Sequence, residues 1–393
     1  YTDDSGKVNT YAAYLEDLKL AHTVPVIVAE FGIPTSRGMG HESVMGYNQG
    51  KVDEKDQGKM LIDMLGCIED AKYAGGIVFT WQDEWFKRTW NNVMFDIADR
   101  RPFWSNIQTT EQCFGLMAFD PGKDQMACYV DGDVSEWKDA TPVVTTDQGK
   151  LYVKSDERYL YLMLDADNYN FDKDTLLIPI NTIANQGNRT SSQYNAAFDK
   201  EADFLIYING KNNSHMYVDR YYDAFNFYFL ESKKLGDIKK EENANRKNSG
   251  LFDSMRMCYG YNLTVKGTGE NVKDKVYETG KLQYGNGNPE ADDYRSLSDF
   301  CYANGKLEIR IPWQLLNFSD PSRMQIHDDY YDGNYGIESV GIKEMFIGFG
   351  GEGNTIEMGG LKLKGWENTV PYHERLKEAY QVLKTYWTGK GHE

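Results

Sequence analysis

The chain predicts an α/β segment followed by a much longer all-β one. Three observations carry that expectation. Two short, continuous apolar runs (24–32 and 77–81) flank a stretch of helical periodicity. Beyond about Cys113 the helical period gives way to period-two alternation broken by Gly, Asn and Asp. A final helical pattern then opens at Pro371. We therefore expect an α/β domain over 1–112 and an antiparallel β-sandwich over 113–393, closed by a C-terminal helix.

Within the first segment, Asn9-Thr10 caps a helix to about Ala21, with Tyr11, Tyr14, Leu15 and Leu18 on one face. Val24-Pro-Val-Ile-Val-Ala-Glu-Phe-Gly32 reads as a strand buried on both faces of a parallel sheet. Residues 33–52 form a Gly-rich loop. Asp53 opens a second helix, with Asp56 three residues on. Met60, Leu61, Met64, Leu65 and Ile68 hold its apolar face, and Gly75-Gly76 ends it. Ile77-Val-Phe-Thr-Trp81 is the next strand. Helix, strand, helix, strand is the order of a βα repeat.

In the second segment, strands are expected at 150–154, 159–164, 204–208, 216–218, 307–311 and 345–349, the pattern of a sandwich or jelly roll. Residues 231–250 are polar and charged and read as a long surface loop. The last helix should run from Pro371 to Trp387, with Leu376, Ala379, Tyr380 and Leu383 on one face.

Composition excludes several classes. The 393 residues carry 43 Lys+Arg against 60 Asp+Glu, a net charge of −17, which disfavours nucleic acid as a partner. No apolar run approaches the ~20 residues that cross a bilayer, so no membrane span is expected. Five scattered cysteines form neither a disulfide framework nor a zinc site. The 28 Tyr residues suit half-buried strands, and equally the ring faces of sugars.

Glu30 is the first catalytic candidate. A carboxylate at the C-terminal end of a parallel strand lies where βα barrels hold their chemistry, and it can act as nucleophile or base. The next strand ends in Trp81-Gln-Asp-Glu84-Trp85. An aromatic beside a carboxylate there is how a sugar subsite is often built. Asp83 and Glu84 are read as substrate contacts rather than as the acid. His41 lies in the loop after Glu30. The alternative for Glu30 is a structural ion pair with an arginine such as Arg37.

Pro25-Val-Ile-Val-Ala-Glu30-Phe-Gly-Ile resembles the seventh-strand motif of clan A glycoside hydrolases, and Gly76-Ile-Val-Phe-Thr-Trp81 resembles their eighth strand. The resemblance covers residues 8–105. It implies a partial (β/α)8 barrel with only its last two strands present, Glu30 as the retaining nucleophile and Trp81 as the sugar platform. Glu84, Trp85 and His41 would be substrate-binding. A whole barrel takes roughly 250 residues, so the first six units and the acid/base would precede Tyr1. We expect the 393 residues alone to be inactive.

Tyr129-Val-Asp131-Gly-Asp133-Val-Ser-Glu-Trp137, with the strands at 150–154 and 158–164, resembles the opening of family 9 carbohydrate-binding modules and DOMON-like sandwiches. Sugar-stacking candidates by residue type are Tyr221, Tyr222, Trp313, Tyr330, Tyr331 and Trp366. No cofactor is expected. Calcium enters only through two acidic clusters, Asp131/Asp133 and Asp165–Asp174. Neither places an acid at the twelfth position an EF-hand loop requires. No phosphate-binding loop and no GxSxG elbow is present. The expectation is therefore the C-terminal part of a retaining, polysaccharide-directed glycoside hydrolase with a carbohydrate partner, placed outside the cell or on its surface. The rival is a non-catalytic carbohydrate-binding or cell-surface scaffold.

Overall fold

A computed structural model describes residues 1–97, 104–166, 169–233, 246–331, 337–366 and 369–390. Strands hold 34% of residues and helices 18%, so the architecture leans toward all-β. Two compact units form. Unit 1 takes 1–90, 107–124 and 372–393; unit 2 takes 91–106 and 125–371. A single cut at 112/113 does not reproduce this division, because the C-terminal residues return to unit 1. Among the described residues no helix is long and apolar enough to cross a membrane.

Unit 1 begins with α1 (Thr10–Leu20), whose N-cap Asn9 accepts from the Ala12 amide. Then come β1 (Ile27–Phe31), a hairpin of β2 (Met39–His41) and β3 (Gln49–Gly50), α2 (Glu54–Asp70) and β4 (Gly75–Val78). Asp53 caps α2 by accepting from Asp56 N at 2.9 Å. β1 and β4 pair in parallel, with Ile27 opposite Gly75 and Phe31 opposite Val78. Both strands are shorter than their apolar runs, although Ala74 N donates to the Val26 carbonyl and Phe79 N to the Phe31 carbonyl, each at 2.8 Å, just beyond them. One face of the pair is packed: Phe31, Leu61, Leu65 and Ile68 form a core with Leu15. A Cβ on Gly32 would lie 2.0 Å from the Phe79 carbonyl oxygen, so only glycine allows that approach. The other face is bare, with Ile27 57% and Ile77 60% exposed. Burial on both faces was the expectation for these runs; nothing in the described chain covers the second one.

The expected last helix divides in two. Residues Tyr372–Leu376 are a strand, antiparallel to β5 (Met117–Pro121), and only Glu378–Lys390 is helix (α3). Proline before a helical pattern is a start signal, but here backbone pairing with a distant strand overrides it. Ala379 and Leu383 of α3 join the unit 1 core, whereas Leu376 stays exposed. Gly58 of α2 makes the contact close: a Cβ there would meet Val382 Cβ at 2.7 Å.

Ion pairs fasten this returning segment. Arg375 reaches Glu54 at 2.8 and 2.9 Å and Asp120 at 2.6 Å. Lys377 is buried and donates to Asp83 at 2.7 Å, Thr35 Oγ1 at 3.0 Å and the Cys113 carbonyl at 3.2 Å. No sequence signal announces these pairs, because their partners lie hundreds of residues apart.

Unit 2 is built on two antiparallel sheets. The first runs in the order Phe300–Ala303, Lys306–Pro312, β8 (Tyr159–Asp165), β7 (Gly149–Ser155), β6 (Val144–Thr146). The second orders β14 (Phe252–Ser254), β13 (His215–Asp219), β12 (Phe204–Ile208), β9 (Leu176–Asn181), Met345–Gly348 and Met358–Leu361. Alternate residues supply one core: Leu160, Leu162 and Leu164 from β8, Ile178 and Ile180 from β9, Phe204, Ile206 and Ile208 from β12. The intervening Leu177 and Leu205 enter a second core under a three-stranded sheet, β10 (Asn188–Ser191), β11 (Ala196–Ala202) and Thr355–Ile356. Part of the expected loop at 231–250, residues 234–245, lies outside the described residues.

Two buried carboxyls bear on stability in unit 2. Asp219 accepts from Asn188 Nδ2 at 2.9 Å and Tyr221 N at 3.2 Å, while its Oδ2 has no partner. Burial first, and the Asp203 charge second, push it up to about 8 from 3.8. Asp203 itself is pushed up by burial to about 6. The unfolded Asp219 ionises near 3.8, but the folded one holds its proton to about 8. Between those values the folded state binds more protons, so stability falls as pH rises. At ~1.4 kcal/mol per unit the loss is on the order of 5 kcal/mol. Asp219→Asn should match wild type near pH 4 and unfold at a clearly higher temperature at pH 9. Thermal unfolding across that range checks it; parallel pH profiles would refute the assignment.

Candidate active site

β1 holds one residue more than β4 between the Val28–Gly76 and Phe31–Val78 pairs. The irregularity is a bulge over Ala29–Glu30. Along β1 the burial runs exposed, half-buried, exposed, exposed, buried. In unbroken alternation Glu30 would share the Val28 side and face the helices. The extra residue turns it to the open face, beside Ile27 and Ala29. Among the described residues the Glu30 side chain forms no hydrogen bond and no ion pair. Arg37, the arginine named in the structural alternative, is buried and donates to Gln108 Oε1 at 3.1 Å.

Trp81 lies three residues beyond β4, at the same end of the paired strands as Glu30. Its carbonyl accepts from Leu116 N at 3.1 Å and Met117 N at 3.0 Å, which fixes the segment. Its ring meets Tyr380 edge-on at 6.1 Å yet stays half exposed. Trp85 is half-buried and packs edge-on against Phe119 at 4.9 Å. Glu84 is half-buried and pairs with Lys87 at 3.1 Å. His41 is exposed at the end of β2. No hydrogen bond or ion pair joins Glu30 to any of these four. Asp83, read as a substrate contact, is instead taken by Lys377 and by the Gly115 amide at 2.9 Å.

One acid in these loops escaped sequence reading. Glu111 follows no motif, yet Gln49 of β3 donates to its carboxylate and its own amide donates to Thr89 Oγ1 at 3.2 Å. Burial raises its pKa, opposed by Lys87, and the Glu84 charge adds to the rise. The loops after β1 and β4 thus bring together two carboxyls and one ammonium that sequence left unconnected.

The Asp131–Trp137 motif serves a structural end. Glu308 is buried and accepts from Gly132 N and Trp137 Nε1, both at 2.9 Å, and from Asp131 N at 3.3 Å. Burial pushes its carboxyl up to about 7. Asp131 accepts from Asp133 N and from Asn288 Nδ2, each at 2.8 Å. In the other acidic cluster, Asp165 pairs with Lys306 and Asp172 accepts from Tyr302 OH at 2.5 Å. Among the described residues no group of three or more acidic, His or Cys side chains is arranged to hold a metal. Of the aromatics suggested by type, Tyr221, Tyr222, Trp313 and Tyr330 are buried, so their faces go to packing. Trp313, for example, donates to the Asp156 carbonyl at 2.9 Å. Residue type alone does not separate a packed ring from a presented one.

No protein-family model, no curated protein and no solved structure matches this chain.

Proposed function

We propose that unit 1 is the closing portion of a retaining glycosidase of the (β/α)8 kind. More specifically, we read it as an enzyme acting on a polysaccharide or oligosaccharide, joined to a sandwich of carbohydrate-binding type. One observation supports this above the rest: a bulge turns Glu30, unpaired, onto the bare face of a parallel strand pair. Parallel sheets are normally covered on both faces, and one apolar face here is open. Further βα units would cover it and complete the barrel.

In this reading the Glu30 carboxylate attacks the anomeric carbon and forms a glycosyl ester. Trp81 carries the sugar ring, and Glu84, Trp85 and His41 line the cleft. A second carboxyl, roughly 5–5.5 Å from Glu30, must protonate the leaving oxygen and later activate water. In the family that residues 25–33 resemble, that acid belongs to an earlier βα unit of the barrel. The 393 residues alone should leave glycosides intact. The test is Glu30→Gln against wild type in a chain extended to the whole barrel.

A further inference from the structure

The segment that returns to unit 1 reaches the candidate site with two side chains one helical turn apart, Lys377 and Tyr380. The Tyr380 amide donates to the Lys377 carbonyl at 3.0 Å, which sets their spacing. Lys377 is 2% exposed, and its ammonium has three N–H groups to satisfy. They go to Asp83 at 2.7 Å, Thr35 Oγ1 at 3.0 Å and the Cys113 carbonyl at 3.2 Å. Thr35 belongs to the loop that follows Glu30, and Asp83 to the segment that carries Trp81. One buried cation from the end of the chain therefore ties the two loops together. The backbone repeats the tie: Lys377 N donates to the Leu116 carbonyl at 2.9 Å, and Leu116 N to the Trp81 carbonyl at 3.1 Å.

Tyr380 acts on the indole itself. Its ring stands at 80° to that of Trp81, with centroids 6.1 Å apart, a preferred aromatic arrangement. Tyr380 is half-buried, and its place on α3 is set by Ala379 and Leu383, which sit fully buried in the unit 1 core. The backbone bonds of Trp81 fix its main chain but leave its side-chain torsions open. A perpendicular ring restricts those torsions and still leaves the indole half exposed. A platform already held in one orientation loses less freedom when a ring settles on it, so binding is tighter.

We propose that Tyr380 is a positioning residue for Trp81, brought to the site by the returning segment and anchored there through Lys377. Its effect on turnover rests on the glycosidase reading above; its effect on the indole does not. The first test therefore needs no substrate. In the 393-residue chain labelled with 5-fluorotryptophan, the Trp81 resonance among the eight is identified by its loss in Trp81→Phe. Tyr380→Ala should shift or broaden that resonance, and Tyr380→Phe, which keeps the ring, should leave it in place. The second test uses the chain extended to the whole barrel. Tyr380→Ala should raise KM for a glycoside about fivefold, the size of one aromatic pair, with kcat within about twofold of wild type. Tyr380→Phe should restore KM. A Trp81 resonance unmoved by Tyr380→Ala overturns the proposal. So does an active enzyme whose KM is unmoved, or one in which Tyr380→Phe fails to restore it. A wild type without turnover, beside a Trp81 resonance that Tyr380→Ala moves, would sustain the positioning of the ring and fault the glycosidase reading instead.

Discussion

Glu30→Gln should lower turnover of aryl β-glycosides by on the order of 10⁴-fold in the extended chain, with sugar binding retained. A factor of that size is about 5–6 kcal/mol of transition-state stabilisation. It is the magnitude expected when a nucleophile is removed and the subsite kept. Glutamine has nearly the shape of glutamate, and the exposed Glu30 side chain holds no structural partner among the described residues. A loss of activity would therefore not be a loss of fold. Unfolding temperature measured beside the kinetics should be unchanged. Equal turnover by variant and wild type would remove Glu30 from the mechanism. No turnover by either, with polysaccharide still bound, would move the function to a binding scaffold.

Arg375→Leu should destabilise unit 1 by about 3–5 kcal/mol, the range for removing one partner of a buried ion pair. The side chains of Glu54 and Asp120 are only 4% and 2% exposed, and one guanidinium serves both. Burial alone would raise the Glu54 carboxyl, but Arg375 outweighs it and holds the carboxyl below its ordinary 4.5. A depressed carboxyl contributes stability that is full above that ordinary value. The contribution fades as pH falls through the lower, folded one. Wild type should therefore lose stability on acidification below about pH 4.5. The variant, left with two buried acids that protonate readily, should be hurt more at pH 7 than at pH 4. Urea unfolding at both values measures the difference. Replacing Glu54 and Asp120 by leucine as well should restore most of the loss, because an apolar triad needs no counter-charge. A single variant as stable as wild type would show that the returning segment does not depend on this network.

Local elements were legible because their signals are local. The Asn9 and Asp53 caps, the apolar face of α2 and the strands at 204–208 and 345–348 need only neighbouring residues to be seen. Period two and period 3.6 are properties of a short window. Glu30 stood out for the same reason, as a charge closing an apolar run. Pro371 shows the limit. Its start signal was real, but the five residues after it found a partner strand some 250 positions away.

The sequence by itself determined the change from helical to strand periodicity near Cys113, and it singled out Glu30 and Trp81 at the ends of two apolar runs. Only the tertiary structure decided which way those residues turn. A bulge of one residue is invisible in composition, yet it moves Glu30 from one face of β1 to the other. Long-range pairing likewise decided that Asp83 answers Lys377, that Glu308 anchors the Asp131–Trp137 turn, and that the chain end rejoins unit 1. The physical reason is common to all of these. A buried charge is stable only beside its partner, and a partner hundreds of residues distant is specified by the fold, not by the neighbouring sequence.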